Sequence, residues 1–251
     1  VESKGLAFIG RIGQVRAMNE INFIGFDADD TLWQNEAFFR VTQDRFERLL
    51  ADHVAPDHLH ERLLAAERRN IGHYGFGVKG FVLSMIETAI EVTDGRVATS
   101  VIAELMAAGR EMLEHPIELL PHAREAVVAA ARHGARVVLI TKGDLLDQER
   151  KLAQSGLGDL FAAVEIVSDK RPEVYARIFS RHGVQSAQAM MLGNSLKSDV
   201  LPVIEAGGWG VHVPHQLTWA LERADPPHGH PRFAELPDLS GFAALLRGFS
   251  A

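Results

Sequence analysis

The sequence predicts an α/β fold, a parallel-sheet core with an α-helical domain inserted into it, and three observations carry that prediction. From about Pro121 onward, short apolar runs alternate with helix-length amphipathic stretches. Strands alternating with helices of this size imply βαβ units and a parallel sheet. Several runs end in a short polar cluster: INFIGF before Asp27, RVVLI before Thr141 and AMMLG before Asn194, with SDK following AVEIV to reach Lys170. Buried parallel strands read as continuous apolar runs of this kind. The third observation is the stretch from about Trp33 to Leu119, which holds no convincing strand. A structureless loop of that length does not belong in a compact domain, so the stretch is read as an inserted helical domain.

Each element follows in order. Residues 1–18 are read as an N-terminal extension, either added residues or part of an upstream start: the chain begins without Met, and Met18 stands just before the first strand. The opening VESKGLAFIGRIGQVRA has no apolar run of signal-peptide length. The first strand is Ile21–Phe26. Four helices are expected next, at Glu36–His53, Asp57–Arg69, Lys79–Val92 and Val97–Glu114. Phe38, Phe39, Val41, Phe46, Leu49 and Leu50 recur at helical spacing in the first. A helix from Arg124 ends on Gly134, a suitable C-cap. Strand Ala135–Thr141, a helix ending near Gly156 and strand Ala163–Val167 come next. Pro172 opens a helix, where its fixed φ suits the first helical position. Strand Ala189–Gly193, helix Asp199–Gly207 and strand Trp209–Val213 complete the alternation. After His215 the chain looks like loop, with one last helix at Gly241–Gly248. The domains expected are therefore 19–32 with 118–251 for the α/β core and 33–117 for the helical insertion.

Composition bounds the function. With 251 residues, 47% hydrophobic and 24% charged, the chain has ordinary globular usage and ample core. A net charge of −7 offers no basic footprint for nucleic acid. No apolar stretch approaches the ~18 residues of a membrane span. Zero cysteines exclude disulfides and thiolate chemistry and suit a reducing compartment, so a cytoplasmic protein is expected.

The polar clusters carry the chemistry. In open α/β sheets ligands bind outside the carboxyl ends of the strands, where these clusters would meet. Carboxylates can hold Mg²⁺, while a hydroxyl and an ammonium can hold phosphate oxygens. Together they make a phosphoryl-transfer set. Asp27 is the candidate nucleophile, because a carboxylate attacking phosphorus forms an aspartyl-phosphate and splits hydrolysis into two easier steps. Asp29, two residues on, is the candidate acid for the leaving alcohol and then the base for water. Asp30 and, in part, Thr31 are expected to turn the chain. Thr141 and Lys142 would hold the transferring phosphoryl group, and Lys170 would neutralise nucleophile and phosphate together as a point charge.

At these residues the chain resembles the haloacid dehalogenase (HAD) superfamily. DADDT matches its first motif, the Thr of LITKGD the second, the Lys of SDKRPE the third and GNSLKSD the fourth. The resemblance runs from about Asn22 to Val213, with the motifs in order. It implies a Rossmann-like core with the helical cap of subfamily I, and a Mg²⁺-dependent phosphatase of small phosphorylated metabolites. It also implies catalytic Asp27, Asp29 and Lys170, phosphate-binding Thr141, Lys142 and Lys170, and metal ligands Asp27, Asp29, Asn194 and Asp199. One departure matters. Family members usually place an acid where this chain has Asn194, so a formal charge is missing and weaker Mg²⁺ affinity is expected. Asp199 would hold the metal through water or orient Lys170. Choice among leaving groups is expected from the helical segment and its Gly72–Gly80 loop.

Rival readings stay open. A 2-haloacid dehalogenase shares fold and nucleophile, but a halide needs no proton donor and the second acid is normally absent. A phosphosugar mutase keeps both aspartates. A receiver-type signalling domain would need its phosphoacceptor on a strand between the acid pair and Thr141, where only helix is expected. A non-catalytic phosphate- or metal-binding module sits poorly with an intact Asp27–Asp29 pair. Two decoys are set aside. GFGVKG at 75–80 matches G-x-G-x-x-G, but a helical, charged stretch and not a strand precedes it. His212, His215, His228 and His230 have no metal-site spacing and are expected to be solvated loop residues.

Overall fold

Apolar runs with no polar face must be covered on both sides, and that requirement organises the sheet. The computed structural model describes residues 20–249; the expected extension at 1–18 lies outside the described residues. Six strands, β1 (Phe23–Phe26), β2 (Arg136–Lys142), β3 (Ala163–Val167), β4 (Ala189–Gly193), β5 (Trp209–His212) and β6 (Phe233–Glu235), form one parallel sheet in the order β3-β2-β1-β4-β5-β6. β1 and β4 are buried at every position. In register, Phe26 stands beside Leu139 of β2 and Leu192 of β4. Strand order reverses at β1, with β2 and β3 on one side and β4 to β6 on the other. Such a switch point is where open α/β sheets bind ligands. One face is packed by Phe23, Val138, Ile140, Tyr175, Phe179 and Met191.

The stretch without strands is helical: α1 (Glu36–Leu50), α2 (Pro56–Tyr74), α3 (Val78–Val92) and α4 (Thr99–Glu114). They have a core of their own, including Phe46, Leu50, Leu59, Leu63, Phe81 and Met85. α2 continues past the expected Arg69 because its inward positions continue. Asn70 is buried there and donates to Ser84 Oγ at 3.2 Å and Glu87 Oε2 at 2.6 Å. Gly75, at φ 73, stops the helix by donating its N–H to Ile71 O. GFGVKG therefore joins two helices and follows no strand, so it is not a dinucleotide loop.

The remaining helices are α5 (Ala123–Arg132), α6 (Leu145–Ser155), α7 (Pro172–Arg181), α8 (Leu201–Glu205) and α9 (Phe242–Arg247). The chain divides into two compact units. One holds the sheet, with Glu118–Thr141, Ser155 onward and the described chain up to Gln34; the other holds Asn35–Ile117 and Lys142–Gln154. The sequence assigns 142–154 to the core, whereas here that segment groups with the helices. Lys79 Nζ donates to Asp144 Oδ2 at 2.9 Å, Lys151 Nζ donates to Asn35 Oδ1 at 2.8 Å, and the Lys142 ammonium lies 4.0 Å from the Phe76 ring centroid. Ties between residues so far apart in sequence leave no local pattern. Two further departures concern the C-terminal half. β6 occupies what the sequence presents as loop, since three residues are too few to show a period. The helix expected at Asp199–Gly207 is instead a π-turn, Leu196–Val200, followed by α8. No helix among the described residues is long and apolar enough to cross a membrane.

Candidate active site

The site is built at the carboxyl edge of β1, β2 and β4, within the sheet unit. The Asp27 N–H donates to Leu192 O at 2.9 Å, extending the β1–β4 ladder by one residue. The chain then turns: the N–H groups of Thr31 and Leu32 both donate to Ala28 O, at 3.2 and 2.8 Å. Asp30 takes φ 60, a left-handed conformation that Asp tolerates better than most residues. This turn carries Thr31 back over Asp27, and its hydroxyl donates to Asp27 Oδ2 at 2.9 Å. Thr31 Oγ1 in turn accepts the Asn194 N–H at 3.0 Å and lies 3.4 Å from Asn194 Oδ1. Thr31 is thus more than a turn residue: it ties the first and fourth clusters together.

A buried charge trio lies at the centre. Lys170 Nζ donates to Asp27 Oδ1 at 2.5 Å and to Asp199 Oδ1 at 2.6 Å. All three side chains are buried, and one ammonium faces two carboxylates. Burial raises the Asp27 carboxyl and the Asp199 charge raises it further; Lys170 opposes both, and the result is a pKa of about 7. Burial acts against the Lys170 ammonium, yet Asp199 and Asp27 outweigh it and hold its pKa well above the ordinary lysine range. The trio has room for more positive charge.

Asp199 is itself tightly held. Its Oδ2 accepts the Ser195 N–H at 3.0 Å. A Cβ on Gly193 would come within 2.2 Å of Asp199 Oδ2, so only glycine lets this carboxylate pack against β4. Of the two roles expected of Asp199, orienting Lys170 is the one the contacts display. The turn behind it is fastened by Glu222, whose Oε2 accepts from Ser195 Oγ at 2.6 Å and Ser198 Oγ at 2.5 Å. Tyr175 OH donates to Ser198 O at 3.0 Å, and burial pushes that phenol well above its usual pKa.

The other expected residues divide. Thr141 is buried on β2, two residues past Leu139 and therefore at the same edge. Asp29 is half-buried, and its Oδ1 accepts the Trp33 indole N–H at 2.7 Å. It is close enough to add to the upward pull on Asp27. Lys142 belongs to the helical unit and stands over Phe76. Among the described residues no three His, Cys, Asp or Glu side chains could hold a metal ion together. The reason is local: Trp33 takes Asp29 Oδ1, while Lys170 and the Ser195 N–H take the Asp199 oxygens. Asp27 and Asn194 remain, with oxygens converging on one hydroxyl.

Two histidines correct the expectation of solvated loop residues. His212 is buried, with Nδ1 2.9 Å from Glu235 Oε2 and Nε2 3.2 Å from Asn194 O. His215 Nδ1 lies 3.6 Å from Asp30 Oδ1. Glu222, Ser195 and Trp33 also support the site without having been singled out. Glu222 closes a single 3₁₀ turn, Ala220–Glu222, 27 positions beyond its serine partner, so no spacing could have marked it.

Comparison with known proteins adds to this geometry. Residues 21–207 match the family described as haloacid dehalogenase-like hydrolase. A haloacid dehalogenase-like family hydrolase from Xanthomonas campestris is 44% identical with a TM-score of 0.82, covering 93% of this chain and 94% of that one. A predicted phosphoglycolate phosphatase from Haemophilus somnus is 15% identical with a TM-score of 0.61, over 91% of this chain and 99% of that one. The L-2-haloacid dehalogenase of Xanthobacter autotrophicus with chloropropionic acid covalently bound is 19% identical with a TM-score of 0.62, over 92% of this chain and all of that one. The last two share the fold. No curated protein sequence matches the chain.

Proposed function

The chain belongs to the haloacid dehalogenase-like hydrolases, and from that premise we propose that it hydrolyses small phosphomonoesters with Mg²⁺, through an aspartyl-phosphate on Asp27. The observation that carries this over dehalogenation is Asp29, a second carboxyl two residues after the nucleophile and held by Trp33. An alkoxide leaving group needs a proton and a halide does not. In the first step a carboxylate oxygen of Asp27 attacks phosphorus while Asp29 gives its proton to the departing oxygen. In the second, Asp29 takes a proton from water as that water displaces Asp27. Lys170 favours the ionised form of Asp27 against burial and the Asp199 charge, Asp199 aims Lys170, and Thr141 donates to the phosphoryl oxygens.

The donor chemistry suits Mg²⁺. This cation is commonly held by one or two carboxylates with waters and substrate phosphate in place of a full protein cage. Asp27 and Asn194 supply two hard oxygens within reach of one hydroxyl, beside a buried trio with an excess negative charge. Bound there, the ion would neutralise phosphoryl charge and orient the substrate. A buried Asp27 suits a terminal phosphoryl group on a small metabolite, and a net charge of −7 does not suit nucleic acid. Cytoplasmic placement belongs to the same proposal, since a chain with zero cysteines suits a reducing compartment.

The test is a panel of small phosphomonoesters with and without Mg²⁺, read by phosphate release, alongside a 2-haloacid read by halide release. Mg²⁺-dependent phosphate release with no halide release is expected. Halide release alone would overturn the proposal, and a transferred phosphate on a sugar acceptor would move it to a mutase.

A further inference from the structure

Trp33 is fully buried, and its indole N–H can only donate. That donor is spent on Asp29 Oδ1, at 2.7 Å. Burial alone does not compel such a bond: the indole nitrogen of buried Trp209 has no hydrogen-bond partner among the described residues. The Trp33 backbone is anchored on both sides. Its carbonyl accepts the Asp30 N–H at 2.8 Å, and it bridges to Leu119, flanked by Leu120 N–H to Leu32 O and Gln34 N–H to Glu118 O, each 2.9 Å. The indole is therefore a fixed donor aimed at one oxygen of a carboxyl that is only half-buried.

We propose that Trp33 is a positioning residue for Asp29, fixing through Oδ1 the direction in which that carboxyl meets the reacting oxygen. As the Asp27–phosphorus bond forms and the bond from phosphorus to the ester oxygen breaks, the Asp29 proton passes to that oxygen, giving the alcohol and leaving Asp29 ionised. In the second step Asp29 takes a proton from the attacking water, its oxygen bonds to phosphorus, and the Asp27–phosphorus bond breaks to release inorganic phosphate. The indole keeps Oδ1 throughout, so Asp29 does not rotate between steps. This inference rests on the phosphatase reading.

The test is Trp33→Phe, which keeps an aromatic ring in the site and removes the donor. Steady-state rates are measured on monoesters from p-nitrophenyl phosphate to simple alkyl phosphates. General acid catalysis contributes about 10²–10⁴-fold. A mis-aimed acid should therefore lose roughly 10-fold or more in kcat on alkyl esters, less than about 3-fold on the nitrophenyl ester, and little in KM. In an Asp29→Ala background Trp33→Phe should cost nothing further, because coupled residues are not additive. Equal losses across leaving groups, or full additivity in the double variant, would overturn the proposal. Should Trp33→Phe fail to fold, the bond is read directly from the Trp33 indole N–H resonance in wild type and Asp29→Ala. A clear shift between them is expected, and an unmoved resonance overturns the proposal. If the wild type releases phosphate from no monoester, it is the phosphatase reading that has failed; if it does, and the leaving-group pattern is missing, only the role of Trp33 has.

Discussion

Replacing Asn194 with Asp should move stability and metal affinity in opposite directions. Thr31 Oγ1 lies 2.9 Å from Asp27 Oδ2 and 3.4 Å from Asn194 Oδ1. A new carboxylate would thus stand no more than about 6 Å from the old one, a repulsion of about 3 kcal/mol at an effective dielectric of 20. Asn194 is only partly buried, and solvent screening brings the expected cost nearer 1–2 kcal/mol. Lys170 is already shared between Asp27 and Asp199 and gives little relief. Chelator-treated Asn194→Asp protein should therefore unfold at lower urea than wild type, by roughly that amount. A divalent cation relieves the repulsion, so Mg²⁺ should bind about tenfold tighter, since 1.4 kcal/mol is one decade. Calorimetric titration with Mg²⁺ and urea unfolding with and without it are the measurements. A variant that binds Mg²⁺ no better than wild type, or loses no stability without metal, would refute the placement of Asn194 beside the ion.

Asp27→Asn should abolish turnover, measured as phosphate release, and also change the pH dependence of stability. Because burial raises the Asp27 pKa to about 7, its stabilising contribution is complete below the unfolded carboxyl pKa and is lost as pH rises through about 7. In chelator-treated protein that decline should be visible in urea midpoints of wild type and missing from Asp27→Asn. Lys170→Met leaves two buried carboxylates facing each other and should cost about 3–5 kcal/mol at neutral pH by urea unfolding, with activity lost; a neutral outcome would mean the trio is not buried in solution. Glu222→Ala frees the two serine hydroxyls behind Asp199. It should cost about 1–3 kcal/mol and lower kcat, while Glu222→Gln, which keeps an acceptor, should recover most of both.

Local chemistry made some of the site legible and hid the rest. Asp27, Thr141, Lys170 and Asn194 each follow an apolar run closely enough to be noticed, and the sheet brings Asp27, Thr141 and Asn194 to one edge. Asp29 was visible for the same reason, but its indole partner was not, because Trp33 reads as one more apolar residue at the start of the stretch without strands. His212 and His215 looked like loop residues since nothing in their neighbours announces Glu235 or Asp30 as partners. β6 was missed because three residues, FAE, carry no period.

By itself the sequence determined the α/β alternation, the helical insertion and the order of the polar clusters. These follow from periodicity and from where apolar runs stop, both properties of neighbouring residues. Tertiary structure alone decided which of those polar groups touch. It placed one ammonium between Asp27 and Asp199, turned Thr31 onto both Asp27 and Asn194, and set the Lys142 ammonium over the Phe76 ring. The physical reason is range. A strand or helix is specified by residues a few positions apart, whereas a hydrogen bond across 143 positions, as between Lys170 and Asp27, exists only once the sheet has brought its strand ends together.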